Sequence, residues 1–175
     1  MGYDMYWRRT DDAAVEQSYF RLNIFGMSRY VDLMHELGMV FDDDEPPAWP
    51  KPDDFGTTYD MVEVIDYPEY PSDTVPTDDQ RAGTEKYIAE RDRVLAWHGR
   101  EVPGIPAHKF SANDGWIVTP VECESALRLY MAKLEEIGLD AVGNLVENRK
   151  AEPGRWAAWL RYLRGAITHD GFKVR

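Results

Sequence analysis

Four histidines and a single cysteine are the side chains of this chain best suited to metal or nucleophilic chemistry. A zinc-binding helix places two histidines three to five residues apart, so that both rings leave one face. His35, His98, His108 and His169 contain no such pair. A site assembled in space from His108, Asp114 and His169 would supply imidazoles for ligation or proton transfer and a carboxylate to orient them. Partly exposed polar residues at turns are the commoner fate of such residues. Asp42, Asp43, Asp44 and Glu45 would attract calcium. They lack the alternating acids and the glycine of a calcium loop, and they read as a solvated acidic run. No metal and no cofactor is assigned.

Cys123 falls one turn inside an expected helix, where a helix start lowers a thiol pKa. The competing role, a small apolar filler, is the usual one for a free cysteine. The chain has no G-x-S-x-G elbow, no G-x-x-x-x-G-K phosphate loop and no G-x-G-x-x-G turn. No catalytic residue is therefore assigned. Arg155, Trp156, Trp159, Arg161, Tyr162 and Arg164 interleave bases with aromatics, as single-strand nucleic-acid binders do. The tryptophan spacing is that of a core stripe, with Arg161 and Arg164 on the opposite face.

Charge narrows the partners. Residues 1–79 hold 19 acids and 5 bases, a net of −14, within a chain of net −12. Such a field repels nucleic acid and anionic membrane and attracts basic protein surfaces. No apolar run approaches the ~18 residues that span a bilayer. The start, Met1-Gly2-Tyr3-Asp4, lacks the basic and apolar segments of a signal peptide, so the expected location is cytoplasmic. A lone cysteine forms no internal disulfide, in keeping with that location.

The elements that must position these residues follow from periodicity. The length of 175 residues fits a single domain, 1–175. Tyr3, Met5 and Trp7 alternate with polar neighbours, and residues 20–24 alternate again, both as half-buried strands do. Met27, Tyr30, Val31, Met34 and Leu37 give a helix over 27–37 that Gly38 stops. Residues 40–76 carry seven of the eleven prolines, eleven acids and one base. They read as a long loop with Met61–Ile65 as an embedded edge strand, packed through Trp49, Phe55 and Tyr59. Helices are expected at 78–97, 120–137, 140–148 and 154–167, with short strands at 115–118 and 172–174. Thr119, Pro120 and Glu122 form a capping box with proline at the first helical position. The expected core is Trp7, Trp116, Cys123, Leu127, Tyr130, Leu134, Trp156, Leu160 and Leu163. The fold class is α+β, a small mainly antiparallel sheet packed by three to five helices; short strands between helices leave a parallel α/β sheet as the alternative.

Three stretches, Gly2–Trp7, Phe20–Met27 and Asn113–Glu122, resemble stretches in uncharacterised proteins of actinobacteria and their phages. They cover under a fifth of the chain. That group has no assigned activity, so the resemblance implies no functional residues. The leading expectation is a non-catalytic interaction or modulator protein, of the phage or immunity type, that offers an acidic face to a basic protein surface. Asp42, Asp43, Asp44, Glu45, Trp49, Asp53, Asp54, Phe55 and Tyr59 are the candidate partner site. The alternatives are a small hydrolase-like enzyme built on His108, Asp114 and His169, and a structural subunit of an assembly.

Overall fold

A computed structural model describes residues 2–10, 15–42, 45–66 and 74–175. The chain forms two compact units, one from residues 1–45 and 98–175 and the other from residues 46–97. The fold is α+β: the described residues hold six α-helices, a four-stranded antiparallel sheet and a two-stranded parallel sheet.

The larger unit begins with strand β1 (Gly2–Trp7), which pairs antiparallel with β2 (Tyr19–Asn23), placing Met5 opposite Phe20. The alternation in β1 does what its period implies. Met5 and Trp7 are buried, while Tyr6 is exposed. Helix α1 (Ile24–Glu36) follows at once, because the Asn23 side chain accepts the Gly26 amide at 2.7 Å and caps it. It therefore starts three residues before the expected position. Gly38 turns the chain at φ 72°, and β3 (Val40–Phe41) pairs in parallel with β4 (Ile105–Pro106). This long-range pairing leaves no mark in the local sequence.

Strand β5 (Trp116–Val118), helix α4 (Pro120–Ile137), helix α5 (Leu139–Asn148), helix α6 (Pro153–Thr168) and strand β6 (Phe172–Val174) complete this unit. The sheet order is β2-β1-β6-β5, so the last strand lies between the first and the fifth. The Thr119–Glu122 capping box forms as expected. In α6, Trp156, Trp159, Tyr162, Leu163 and Ala166 are buried, and Arg161 and Arg164 are exposed. Tyr162 thus joins the core stripe, with its ring 5.7 Å from that of Trp159 and 5.3 Å from that of Phe172.

Of the expected core, Trp7, Trp116, Cys123, Trp156 and Leu163 are buried. Leu127, Tyr130, Leu134 and Leu160 are only partly so. The inward face of α4 is instead led by Glu122, Cys123, Ser125 and Ala126. Two polar bonds turn that face inward. Glu122 accepts from Lys109, and the Ser125 hydroxyl accepts the Gly104 amide at 2.9 Å.

The smaller unit corrects a second expectation. Met61–Ile65 is not an edge strand; it lies in helix α2 (Tyr59–Asp66). Its branched residues favour strand, but Thr58 Oγ1 accepts the Met61 amide, Asp60 sits in the first turn and Val62 is buried. Packing on helix α3 (Asp78–Leu95) outweighs the weak local preference. Arg91 of α3 donates to Asp66 at 2.8 Å, the Thr57 and Thr84 hydroxyls meet at 2.6 Å, and the Phe55 ring lies 6.0 Å from Tyr87. Thr77 and Gln80 close a reciprocal capping box at the start of α3.

Gly165 in α6 has a side-chain reason. A Cβ there would overlap the Trp7 ring. The Trp7 indole N–H donates to the Tyr162 carbonyl at 3.2 Å, so the ring has nowhere to retreat. Gly165→Ala is expected to destabilise by about 1–3 kcal/mol through overpacking. Gly143→Ala, in α5 where a Cβ meets open space, is expected to stabilise by ~0.5–1 kcal/mol. Urea unfolding of the two variants checks both signs.

Candidate functional site

The proposed partner segment divides between the two units. Asp42 and Glu45 belong to the larger one; Trp49, Asp53, Asp54, Phe55 and Tyr59 belong to the smaller. Asp43 and Asp44 lie outside the described residues. The Asp42 carboxylate stands 3.5 Å from His35 Nε2, and its carbonyl accepts from Arg100.

In the smaller unit the residues separate by role. Pro52 in the short 3-10 turn Pro52–Phe55 is buried, and Phe55 packs on Tyr87. A Cβ on Gly83 would overlap the Phe55 carbonyl, so α3 approaches this turn closely. Phe55 is thus a packing residue. Tyr59 is 69% exposed and Trp49 42% exposed, so Tyr59 packs little while Trp49 keeps part of its ring covered. Asp53, Asp54, Asp60 and Glu63 are exposed, and among the described residues no base pairs with them. By contrast, Asp66, Asp92 and Glu90 are engaged by Arg91 and Arg93. Residues 46–97 hold 12 acids and 5 bases, a net of −7.

The two histidines of the constellation pack against different strands. His108, on the 3-10 turn Ala107–Phe110, meets Trp116 of β5 edge-on at 4.6 Å. His169, just past α6, stacks on Trp7 of β1 at 4.3 Å, with Nδ1 2.8 Å from the Gly165 carbonyl. Strand β6 lies between those two strands. Asp114 is exposed in the turn before β5. Among the described residues, no three His, Cys, Asp or Glu side chains are grouped to hold a metal ion. Cys123 is fully buried, and burial pushes its thiol pKa up, as befits an apolar filler.

The most concentrated ionic chemistry was not expected from sequence. Lys109 is fully buried and Glu122 nearly so. Lys109 Nζ donates to both Glu122 oxygens, at 2.6 and 2.8 Å, and to the Ile117 carbonyl at 2.7 Å. Glu122 Oε2 also accepts the Thr119 amide, as a capping residue does. His98 places Nδ1 2.7 Å from Glu122 Oε1 and Nε2 2.9 Å from the Val102 carbonyl. Both ring nitrogens face acceptors, so the doubly protonated ring satisfies both bonds. The Glu122 hydrogen bond raises the His98 pKa, partly opposed by burial and by the charge of Lys109. For Glu122, burial is the largest influence and acts upward. The bonds from His98 and Lys109 and the Lys109 charge outweigh it, and its pKa lies below the ordinary value.

All four oxygen-directed bonds to Glu122 come from within the protein, so the cluster is a structural fastening. Glu122 was legible as a cap; Lys109 and His98, 13 and 24 positions away, carry no local signal.

No protein-family model matches the chain, and no curated protein and no solved structure matches it.

Removing one partner of a buried pair strands the other. Lys109→Met is expected to cost about 3–5 kcal/mol, and Lys109→Met with Glu122→Leu less than the sum of the single changes. Equilibrium denaturation of the cycle measures the coupling. The pH dependence has a definite sign. The folded His98 pKa is raised above 6.5, so its contribution is complete below that value and is lost as pH rises through the folded pKa. The folded Glu122 pKa is lowered from 4.5, so its contribution is complete above that value and is lost as pH falls through the folded pKa. Urea midpoints are expected to decline as pH rises above 6.5 through the folded His98 pKa, and His98→Gln to remove that decline.

Proposed function

We propose that the protein is a non-catalytic interaction protein whose acid-rich unit, residues 46–97, binds a basic protein surface. The observation that carries this reading is the pairing of exposed aromatics with unneutralised acids. Trp49 and Tyr59 are exposed among Asp53, Asp54, Asp60 and Glu63, none of them held by a base among the described residues. Aromatics supply most of the binding energy at such interfaces, and rim charges steer encounter. Phage-encoded modulators and nuclease-neutralising immunity proteins exemplify the class. The absence of a membrane partner is part of the reading; among the described residues, no helix is long and apolar enough to cross a membrane.

Two sets of variants separate steering from anchoring once a partner is purified from the native host. Asp53→Asn with Asp54→Asn is expected to slow association strongly at low salt and little near 1 M, where screening falls to about 3 Å. Neutralising Asp42, Asp43 and Asp44 tests the adjoining run in the same way. Trp49→Ala and Tyr59→Ala are expected to speed dissociation instead. Stopped-flow association and dissociation rates across a salt series provide the readout. Unchanged rates in all variants would remove this unit as the site. Turnover abolished by His108→Ala or His169→Ala would replace the proposal with a hydrolase, and concentration-dependent self-assembly would replace it with a structural subunit.

A further inference from the structure

The larger unit carries a basic cleft, although the chain has a net charge of −12. The cleft, of about 220 Å³, lies where the first turns of α1 face the connection from α5 to α6. Arg29 of α1, Lys150 of the connection and Arg155 of α6 line it, with Glu152 as the acid in its wall. Among the described residues, no carboxylate forms an ion pair with any of the three cations. The neighbouring Arg149 shows the alternative, since it is engaged by both Asp32 and Glu36. Three like charges left around one cleft repel one another, and acids are in excess elsewhere on the chain.

The floor of the cleft supplies an independent observation. Tyr30 is 3% exposed and lines the cleft, and its hydroxyl is buried with no hydrogen-bond partner. Burial pushes its pKa up to about 12, and the charges that act on it are Arg155 and Glu152, both in the cleft wall. A buried hydroxyl with no acceptor is costly, and an anion in the cleft would accept from it. The start of α1 favours the same occupant. It carries no acid in its first turn, whereas α2, α3, α4 and α5 each carry at least one; α6 has none in its first turn but has Glu152 at its cap. Positive helix ends beside arginines attract anions.

We propose that this cleft binds a small phosphate-class oxyanion, free or as the phosphate group of a small molecule. Arg29, Lys150 and Arg155 neutralise its charge, and the Tyr30 hydroxyl donates to one of its oxygens. The volume admits a phosphate with a small substituent and is below that of a typical drug-sized pocket, roughly 300–1,000 Å³. This site is independent of what residues 46–97 bind.

Calorimetric titration of the full chain with inorganic phosphate and with ribose 5-phosphate, at constant ionic strength set with chloride, tests it. A single saturable site with Kd of ~1 mM or tighter is expected. Tighter binding of ribose 5-phosphate would mark the ligand as a phosphorylated small molecule, and equal binding would mark free phosphate. Arg29→Gln and Lys150→Gln, at exposed positions without ion-pair partners to lose, are each expected to weaken binding roughly tenfold. Tyr30→Phe is expected to weaken it as well while melting no lower than the parent, because its hydroxyl has no partner in the free protein. Glu152→Gln is expected to strengthen binding, by removing a repelling charge. Absence of saturable heat with either probe, or equal affinity in the Arg29 and Lys150 variants and the parent, would overturn the proposal.

Discussion

The ion pair between Lys109 and Glu122 is the constraint on which the larger unit most depends. Two charges removed from water are tolerated only when every hydrogen-bonding direction is filled. Here the filling comes from four places: the cap amide of Thr119, the carbonyl of Ile117, the His98 ring, and the two partners themselves. One carboxylate thereby joins the start of α4 to β5, to the 3-10 turn that carries Lys109, and to the segment that follows residue 97. It also sets the rotation of α4. With Glu122 turned inward, Cys123 and Ala126 come with it, and Leu127 and Tyr130 move toward the margin of the core.

The apolar half of the same unit rests on a different fit. Trp7 lies against α6 where Gly165 removes a side chain, stacks on His169 and bonds to the Tyr162 carbonyl. Trp159, wholly buried, has rings of Phe20, Tyr162 and Phe172 within 6 Å. Aromatic rings at these separations add orientation preference to area burial. The bases of α6 stay outside because the aromatic stripe takes the inward face, so the basic-aromatic pattern of this helix is satisfied by packing.

The uneven charge of the chain also has a structural expression. Acids of α3 and its neighbours that face arginines are paired, while those at the turn before α2 and along its exposed side are left to solvent. Three cations without an ion-pair partner among the described residues line the cleft around Tyr30. Like charges kept apart from available partners raise the field at each place, and such fields act on charged ligands over about 10 Å at moderate salt.

Helix boundaries were readable where a strong local signal marks them, whereas the Asn23 cap of α1 and the Thr58 bond at the start of α2 were not read. Thr119 with Glu122 is such a signal, and Gly38 and Gly138 adopt the positive φ their positions demand. The alternation of Met5 and Trp7 was readable for the same reason, since strand periodicity is a property of the segment itself. These local terms determined the α+β class and most element positions. Tertiary structure alone decided that Met61–Ile65 is helical, that β3 pairs with β4, and that Glu122 meets Lys109 and His98. Each of those outcomes depends on a partner distant in sequence, and burial against that partner outweighs local preferences worth only tenths of a kcal/mol. The cleft around Tyr30 belongs with them: Arg29 and Arg155 are ordinary surface residues in the sequence, and only the folding of α6 beside α1 makes them neighbours.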